Sequence, residues 1–442
     1  MENSHGSVGN DFRKLVDKVA PRISDEALLQ LSQLMGPADE GNPAIPAGYT
    51  YFGQFVDHDI TFTAQDGVNA RTPIFDLDSL YGDGPNSVKH GHIYEAVQNE
   101  NFIFKIGNPG NADGDLLRNE NFVAQIPDPR NDENIIVASI QLLFQKFHNK
   151  LVQEEGLSFD NAKIAVTWHY QSIVLNDFLV RIIGQNRVDR ILQNGRKIYL
   201  PQTEDDVFMP TEFAGACYRF GHSMVRERYS FNDFFNDTRT HPNIFFGFPG
   251  GRPVQGGHQI TEIWTLQGAD KTLERFFDPS ILNQDIDADN FSGKMDIKLP
   301  PVLFNLEVPT GENNILAHRN LLSGRALSLS SAQQFLEEIN GLGVHIDLLS
   351  PDEISVEGIP PEIVDNTPLW YYTLREAEVK ESGHVLGELG SIVVGETIIG
   401  LLQVSSKSFI HPDNENSNWP FTLSEVTNKK VSMLDVVKYV SN

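Results

Sequence analysis

Residues 162–184, AKIAVTWHYQSIVLNDFLVRIIG, wound into a helix, would be apolar on most sides. Such a helix is stable in water only at the centre of a larger body, packed by other elements. The preceding segment 135–156, IIVASIQLLFQKFHNKLVQEEG, supplies one neighbour. Its Ile136, Ile140, Leu143, Phe144, Phe147 and Leu151 recur at three- and four-residue spacing, the pattern of an amphipathic helix. Further helices are predicted in 210–228 (PTEFAGACYRFGHSMVRER), 330–341 (SSAQQFLEEING), 369–380 (LWYYTLREAEVK) and 391–404 (SIVVGETIIGLLQV). Strand-like alternation is scarce and short. Residues 62–135 are instead rich in turn signals such as GDGPN, GNPGNADGD and PDPRND, and read as a long irregular excursion of the kind that carries function. With no repeat and no linker, the expected architecture is mainly α. It is one large helical domain at 21–442 with long loops and little β structure, preceded by a loose arm at 1–20.

Charge narrows the partners. The 442 residues hold 60 acidic against 34 basic side chains, a formal charge of −26. Nucleic acid and anionic membrane surfaces, which need clustered Lys and Arg, are therefore not expected. Cys217 is the one cysteine, so an intramolecular disulfide and a thiolate metal cluster are excluded. The N-terminus MENSHGSVGNDFRKLV lacks the apolar stretch of a secretory signal, and no run of 18 apolar residues occurs. A soluble protein, cytoplasmic or exported by a non-classical route, is the expectation.

The chemistry concentrates in a few stretches. In YFGQFVDHDI (51–60), a helix puts Gln54, Asp57 and His58 on one face, while Asp59 points away toward different surroundings. In RTPIFDLDSLYG (71–82), Thr72, Ile74, Asp76 and Asp78 alternate, so an extended segment would turn their side chains to one side. A hydroxyl, two carboxylates, intervening carbonyls and the carboxylate of Asp59 would suit Ca²⁺, which takes about six to eight oxygens. PDPRNDENIIVAS (127–139) offers Asp128 as an N-cap with Pro129 next, making Arg130 and Glu133 neighbours at a helix start. YRFGHSM (218–224) places His222 after a run of small and aromatic residues, and HRNLLSGRALSLSS (318–331) sets Asn320 in a polar stretch.

Taken in order, GQFVDHDITFT, TPIFDLDSLYG, PDPRNDE, YRFGH and RNLLSGRALSL resemble the motifs of the animal-type haem peroxidases of the peroxidase–cyclooxygenase superfamily, in the manner of a short prokaryotic member. The resemblance spans about residues 45 to 405. It implies haem and Ca²⁺ as cofactors. Hydrogen peroxide would oxidise the haem to a ferryl state, which in turn oxidises iodide, bromide, thiocyanate or phenols. It implies His58 as the distal histidine, with Arg130 stabilising charge on the breaking O–O bond and Gln54 orienting distal water or halide. His222 would be the iron ligand, its other ring nitrogen donating to Asn320. Asp57 and Glu133 match positions that form ester bonds to haem, and Arg219 joins the cofactor-binding set. Asp59, Thr72, the carbonyl of Ile74, Asp76 and Asp78 match the calcium ligands.

The chain also departs from the family. Asn134 stands where some mammalian members carry a methionine that forms a sulfonium link to haem, so that link is impossible here. Ser323 stands where several members have an arginine, which removes one expected haem-carboxylate contact. The cyclooxygenase branch needs a tyrosine three residues before the proximal histidine. Arg219 is there instead, with Tyr218 one residue further back, which disfavours prostaglandin-type chemistry but leaves a fatty-acid dioxygenase open. A non-catalytic haem- and calcium-binding module is the third alternative, and a metal hydrolase built on DHD a remote fourth. His148, His169, Trp168, Tyr170 and Cys217 read as packing residues. NIFFGFPGG (243–251) reads as phenylalanine packing under a turn, or else as the edge of a substrate entrance.

Overall fold

The computed structural model describes residues 11–441 except 64–67, 99–100, 109–110, 122, 232–237, 240–268, 283–289, 307–312, 415–416 and 424–425. The segment 243–251 therefore lies outside the described residues. The architecture is mainly α. Helices α1 (Gly48–Ile60), α2 (Ile135–Gln153), α3 (Phe159–Ile173), α4 (Leu179–Ile183), α5 (Leu316–Ala326), α6 (Leu369–Glu381) and α7 (Glu388–Val404) carry the framework of the site. Among the described residues strands pair only two at a time.

The central helix lies where its all-round apolar character requires. α3 runs through a π-helical stretch, Val174–Phe178, into α4, and Ala165, Val166, Tyr170, Ile173, Val174, Phe178 and Leu179 are buried. An aromatic cluster clamps α1 onto α2 and α3. Phe55 stacks on Phe144 at 5.4 Å, and Tyr170 meets Phe52, Phe55 and Phe144 edge-on at 5.9–6.0 Å. Gly53 lets α1 come this close. A Cβ there would lie 3.1 Å from the Phe178 ring, closer than most packed carbons sit, so the ring would have to shift by a few tenths of an ångström.

α7 is buried over most of its length, and its one interior charge is satisfied by backbone. The Glu396 carboxylate accepts from the amides of Lys197, Ile198 and Tyr199 at 2.7–3.2 Å. No described helix is long and apolar enough to cross a membrane. At the other end of the chain, residues 11–16 lie on the domain. Phe12–Arg13 pairs in parallel with Met209–Pro210, and the Leu15 and Val16 amides donate to Glu212 at 2.9 and 3.1 Å.

Two expectations change. The excursion at 62–135 is not wholly irregular. Tyr94–Val97 pairs antiparallel with Asn101–Phe104, and Ile106–Asn108 with Asn111–Leu116, strands too short for alternation to reveal. Nor is 210–228 one helix. Thr211–Gly215 makes a single α-turn, Ala216 breaks it at φ −143° and ψ −74°, and Cys217–His222 continues as a tighter 3₁₀ turn. The Ala214 carbonyl accepts from the Arg219 side chain at 3.0 Å, a bond that competes with helix continuation.

Candidate active site

A cavity of about 600 Å³ gathers residues from four separate parts of the chain. α1 contributes Gln54, Asp57 and His58, and the turn before α2 contributes Arg130 and Glu133. The 217–222 turn contributes Tyr218, Arg219 and His222, and α5 contributes Arg319 and Asn320. Every expected catalytic and haem-contacting residue thus lines one space, of a size suited to a large organic cofactor.

His58 lies near the C-terminal end of α1 and is buried. Its Nδ1 is 2.8 Å from Asn131 Oδ1, and Asn131 Nδ2 donates to Gln141 Oε1 at 2.9 Å. With the Asn131 amide so oriented, Nδ1 carries the ring proton and Nε2 keeps its lone pair. Burial, followed by the nearby Arg130 cation, lowers the His58 pKa to about 3, so the ring is neutral at neutral pH.

Arg130 is more engaged than a bare cation. Its Nε and Nη2 hold Asp128, and Nη2 also caps the end of α1 by donating to the carbonyls of His58 (3.0 Å) and Thr61 (2.7 Å). Phe62 lies against the guanidinium at 4.7 Å. Burial acts to raise the Asp128 pKa, but Arg130 and Arg71 outweigh it and hold the carboxyl at about 2. Arg130 Nη1 is left without a protein partner among the described residues.

Asp57 and Glu133 both line the cavity, Asp57 half-buried and Glu133 with more of its surface open. Burial raises both, Glu133 to about 7, and neither has a salt-bridge partner among the described residues. Gln54 Nε2 donates to Glu133 Oε2 at 3.2 Å.

The expected sense of the His222–Asn320 contact is reversed. Asn320 Nδ2, not its oxygen, faces His222 Nδ1 at 2.8 Å, because Arg219 Nη1 donates to Asn320 Oδ1 at 3.1 Å. Burial, then Arg219, lowers the His222 pKa to about 3. Its Nε2 has no hydrogen-bond partner among the described residues.

On the opposite side of α1, ligand atoms of Asp59, Asp76 and Asp78 lie within 4.8 Å of one another. Asp59 accepts from Leu77 N (3.2 Å) and Ser79 Oγ (3.1 Å), and Leu77 takes a left-handed φ of 58° to allow it. Arg71 bonds Asp78 at 3.2 Å and Lys407 bonds Asp76 at 2.9 Å. Burial and the charges of Asp78 and Asp76 push Asp59 well above the usual carboxylate range. Three hard oxygen donors burdened by mutual repulsion fit a divalent cation. The carbonyls of Thr72 and Ile74 accept from the amides two residues on, at 2.8 and 3.1 Å, which folds the loop tightly beside them.

The packing readings are consistent with this layout. His148 Nδ1 meets Tyr81 Oη at 3.1 Å and His169 Nδ1 meets the Ala165 carbonyl at 2.7 Å, both away from the cavity lining. Cys217 is buried, with its thiol pushed up to about 12 by burial. Asn131, Gln141 and Arg71 went unnoticed in the sequence, because no local spacing ties them to His58 or to the acidic loop.

Residues 66–248 match the family model described as animal haem peroxidase. That stretch is similar to an animal haem peroxidase domain. The matched stretch includes the acidic loop, Arg130, Glu133 and His222, whereas Gln54 to Asp59 and Asn320 lie beyond it. A "Peroxidase-like protein" of Margaritifera margaritifera is 26% identical over 170 residues, covering 32% of this chain and 20% of that protein. "Peroxidase mlt-7" of Caenorhabditis elegans is 26% identical over 120 residues, covering 25% and 16%. The matches thus span only a fifth or less of the length of these relatives. Peroxidase A from Dictyostelium discoideum shares its fold with a TM-score of 0.65 at 16% identity, covering 99% of this chain and 94% of that one. The fatty acid alpha-dioxygenase of Arabidopsis thaliana does so with a TM-score of 0.63 at 14% identity, covering 95% and 76%.

Proposed function

We propose that this chain is a haem peroxidase that reduces hydrogen peroxide and oxidises small donors such as halides, thiocyanate or phenols. One observation carries the reading: two uncharged histidines from distant parts of the chain line a single cavity, each with Nδ1 met by an asparagine. His222 would hold the haem iron through Nε2. Ligation there needs the ring proton on Nδ1 and an acceptor on Asn320, so Arg219 must give up Asn320 Oδ1. The released guanidinium is then available to a haem carboxylate, the role left open by Ser323. Asp57 and Glu133 are the carboxyl groups available for ester bonds. The acidic loop would take Ca²⁺.

Haem, when bound, supplies the electron transfers that cleave the O–O bond of peroxide. The protein supplies the proton path. Neutral His58 accepts a proton from hydrogen peroxide at Nε2 and returns it to the departing oxygen, while Arg130 Nη1 offers positive charge where negative charge develops.

The reading is tested by the absorption spectrum of haem-loaded protein. Wild type should show a Soret band that His222→Ala shifts or abolishes, and an identical band in the variant would reject His222 as ligand. Acid–acetone extraction reports whether the esters form. A fatty-acid dioxygenase is the second reading, favoured by Tyr218 on the cavity wall. The Tyr218 hydroxyl, however, donates to the Gly53 carbonyl at 3.1 Å. Peroxide-dependent turnover of bromide or guaiacol without oxygen uptake supports the peroxidase. Oxygen uptake with linoleate would transfer the assignment to the dioxygenase.

A further inference from the structure

We infer that Asn134 is a positioning residue: the helix cap it forms sets the direction of the Gln54 amide, so that Gln54 turns N–H donors, not its carbonyl, toward Glu133 and the cavity. The inference rests on the peroxidase reading and concerns how small anions are received there.

The direction begins in the backbone. Asn134 is the N-cap of α2, and its Oδ1 accepts from Ile136 N at 3.1 Å and Val137 N at 2.9 Å. A backbone N–H can only donate, so the Asn134 oxygen must lie on that side and its Nδ2 on the other. Nδ2 donates to Gln54 Oε1 at 2.9 Å. The Gln54 carbonyl is thereby occupied, and Nε2 is turned to Glu133 Oε2 at 3.2 Å. One Nε2 hydrogen serves Glu133. The second is available to the cavity that Gln54 lines. Asn134 is only 2% exposed, so water does not compete for its amide. The residue that removes the sulfonium link of some relatives thus gives the distal wall a fixed donor polarity.

Two substitutions separate this role from capping. Asn134→Ser keeps a cap oxygen, adds no charge and withdraws the donor from Gln54 Oε1. Asn134→Asp keeps the cap but offers only acceptors, so Gln54 must turn Nε2 toward it and present its carbonyl to Glu133 and the cavity. Fluoride, titrated into haem-loaded protein and followed by the absorption band, reads the polarity. Asn134→Ser keeps the cap, so it should melt below wild type only by the loss of its one bond to Gln54, and should bind fluoride roughly threefold to tenfold more weakly, the worth of one hydrogen bond. Asn134→Asp should bind it more weakly still. In a Gln54→Ala background, Asn134→Ser should have no further effect on fluoride.

Wild-type fluoride affinity in Asn134→Ser, or an equal loss with and without Gln54, overturns the inference. Should wild type take up no haem, the peroxidase reading fails by itself. The melting temperatures of haem-free protein then decide the positioning claim. Losses from Asn134→Ser and Gln54→Ala that add up to the double-variant loss reject it, and a smaller double-variant loss supports it.

Discussion

His58→Ala is expected to slow reaction with hydrogen peroxide by roughly 10²–10⁴-fold, the usual worth of a positioned general acid–base, while haem remains bound. The expectation rests on which nitrogen is free. Asn131 holds the ring at Nδ1, so the bare Nε2 is the atom an alanine deletes, whereas the iron ligand assigned to His222 is untouched. The pH profile follows from the same site. His58 is held to about 3 by burial and then by Arg130, so it stays neutral and able to accept a proton from pH 8 down to about pH 4. Across that range its titration contributes no inflection, and the rate falls only as pH approaches 3. Stopped-flow mixing of haem-loaded protein with peroxide measures both. A rate unchanged by the substitution would remove His58 from the chemistry. An inflection near pH 6 that disappears with His58 would mean that the ring is more open to water than its burial shows.

The fold was legible where periodicity is strong. The apolar run at 162–184 and the three–four spacing at 135–156 both became long helices, because burying such faces outweighs local alternatives. Periodicity cannot see the π-helical stretch at 174–178, from whose end Phe178 packs on α1 at Gly53. It also misses the break at Ala216, where a side chain from Arg219 takes a backbone carbonyl. The site was legible as a list of residues but not as a set of bonds. Gln54, His58, Arg130, Glu133, His222 and Asn320 do share one cavity, yet who donates to whom depends on orienting partners. Arg219 reverses the sense of the Asn320–His222 contact, and Asn131, beside Arg130 in sequence, is the partner of His58 across the fold. Such pairs carry no spacing signal, because the residues meet through different elements.

Calcium chelation is expected to destabilise the protein strongly at neutral pH and weakly in acid. For a cation present at 100–1,000 times its dissociation constant, the linkage is worth about 2.7–4.1 kcal/mol. Burial raises Asp78 to about 6 even against Arg71, and Asp59 is raised further by burial and by its two acidic neighbours. Both folded values exceed that of an unfolded aspartate, near 3.8. The cation-free fold therefore binds more protons than the unfolded chain, and the cluster's contribution to stability falls as pH rises from about 4 through 6. A divalent cation replaces those protons, so its affinity should rise over the same window. Melting curves with and without chelator at pH 5 and pH 7 test the sign, and a larger chelator effect at pH 5 would refute it. The consequence reaches the catalytic side through contiguous bonds. Asp59 directly follows His58, and Arg71 joins Asp78 to Asp128, which holds the Arg130 that caps α1 at the His58 carbonyl. Chelation should accordingly slow the reaction with peroxide along with lowering the melting temperature. Asp59→Asn, which nearly preserves shape but removes a charge, should abolish the response to added calcium. A variant that still responds in full would show that the ion binds elsewhere.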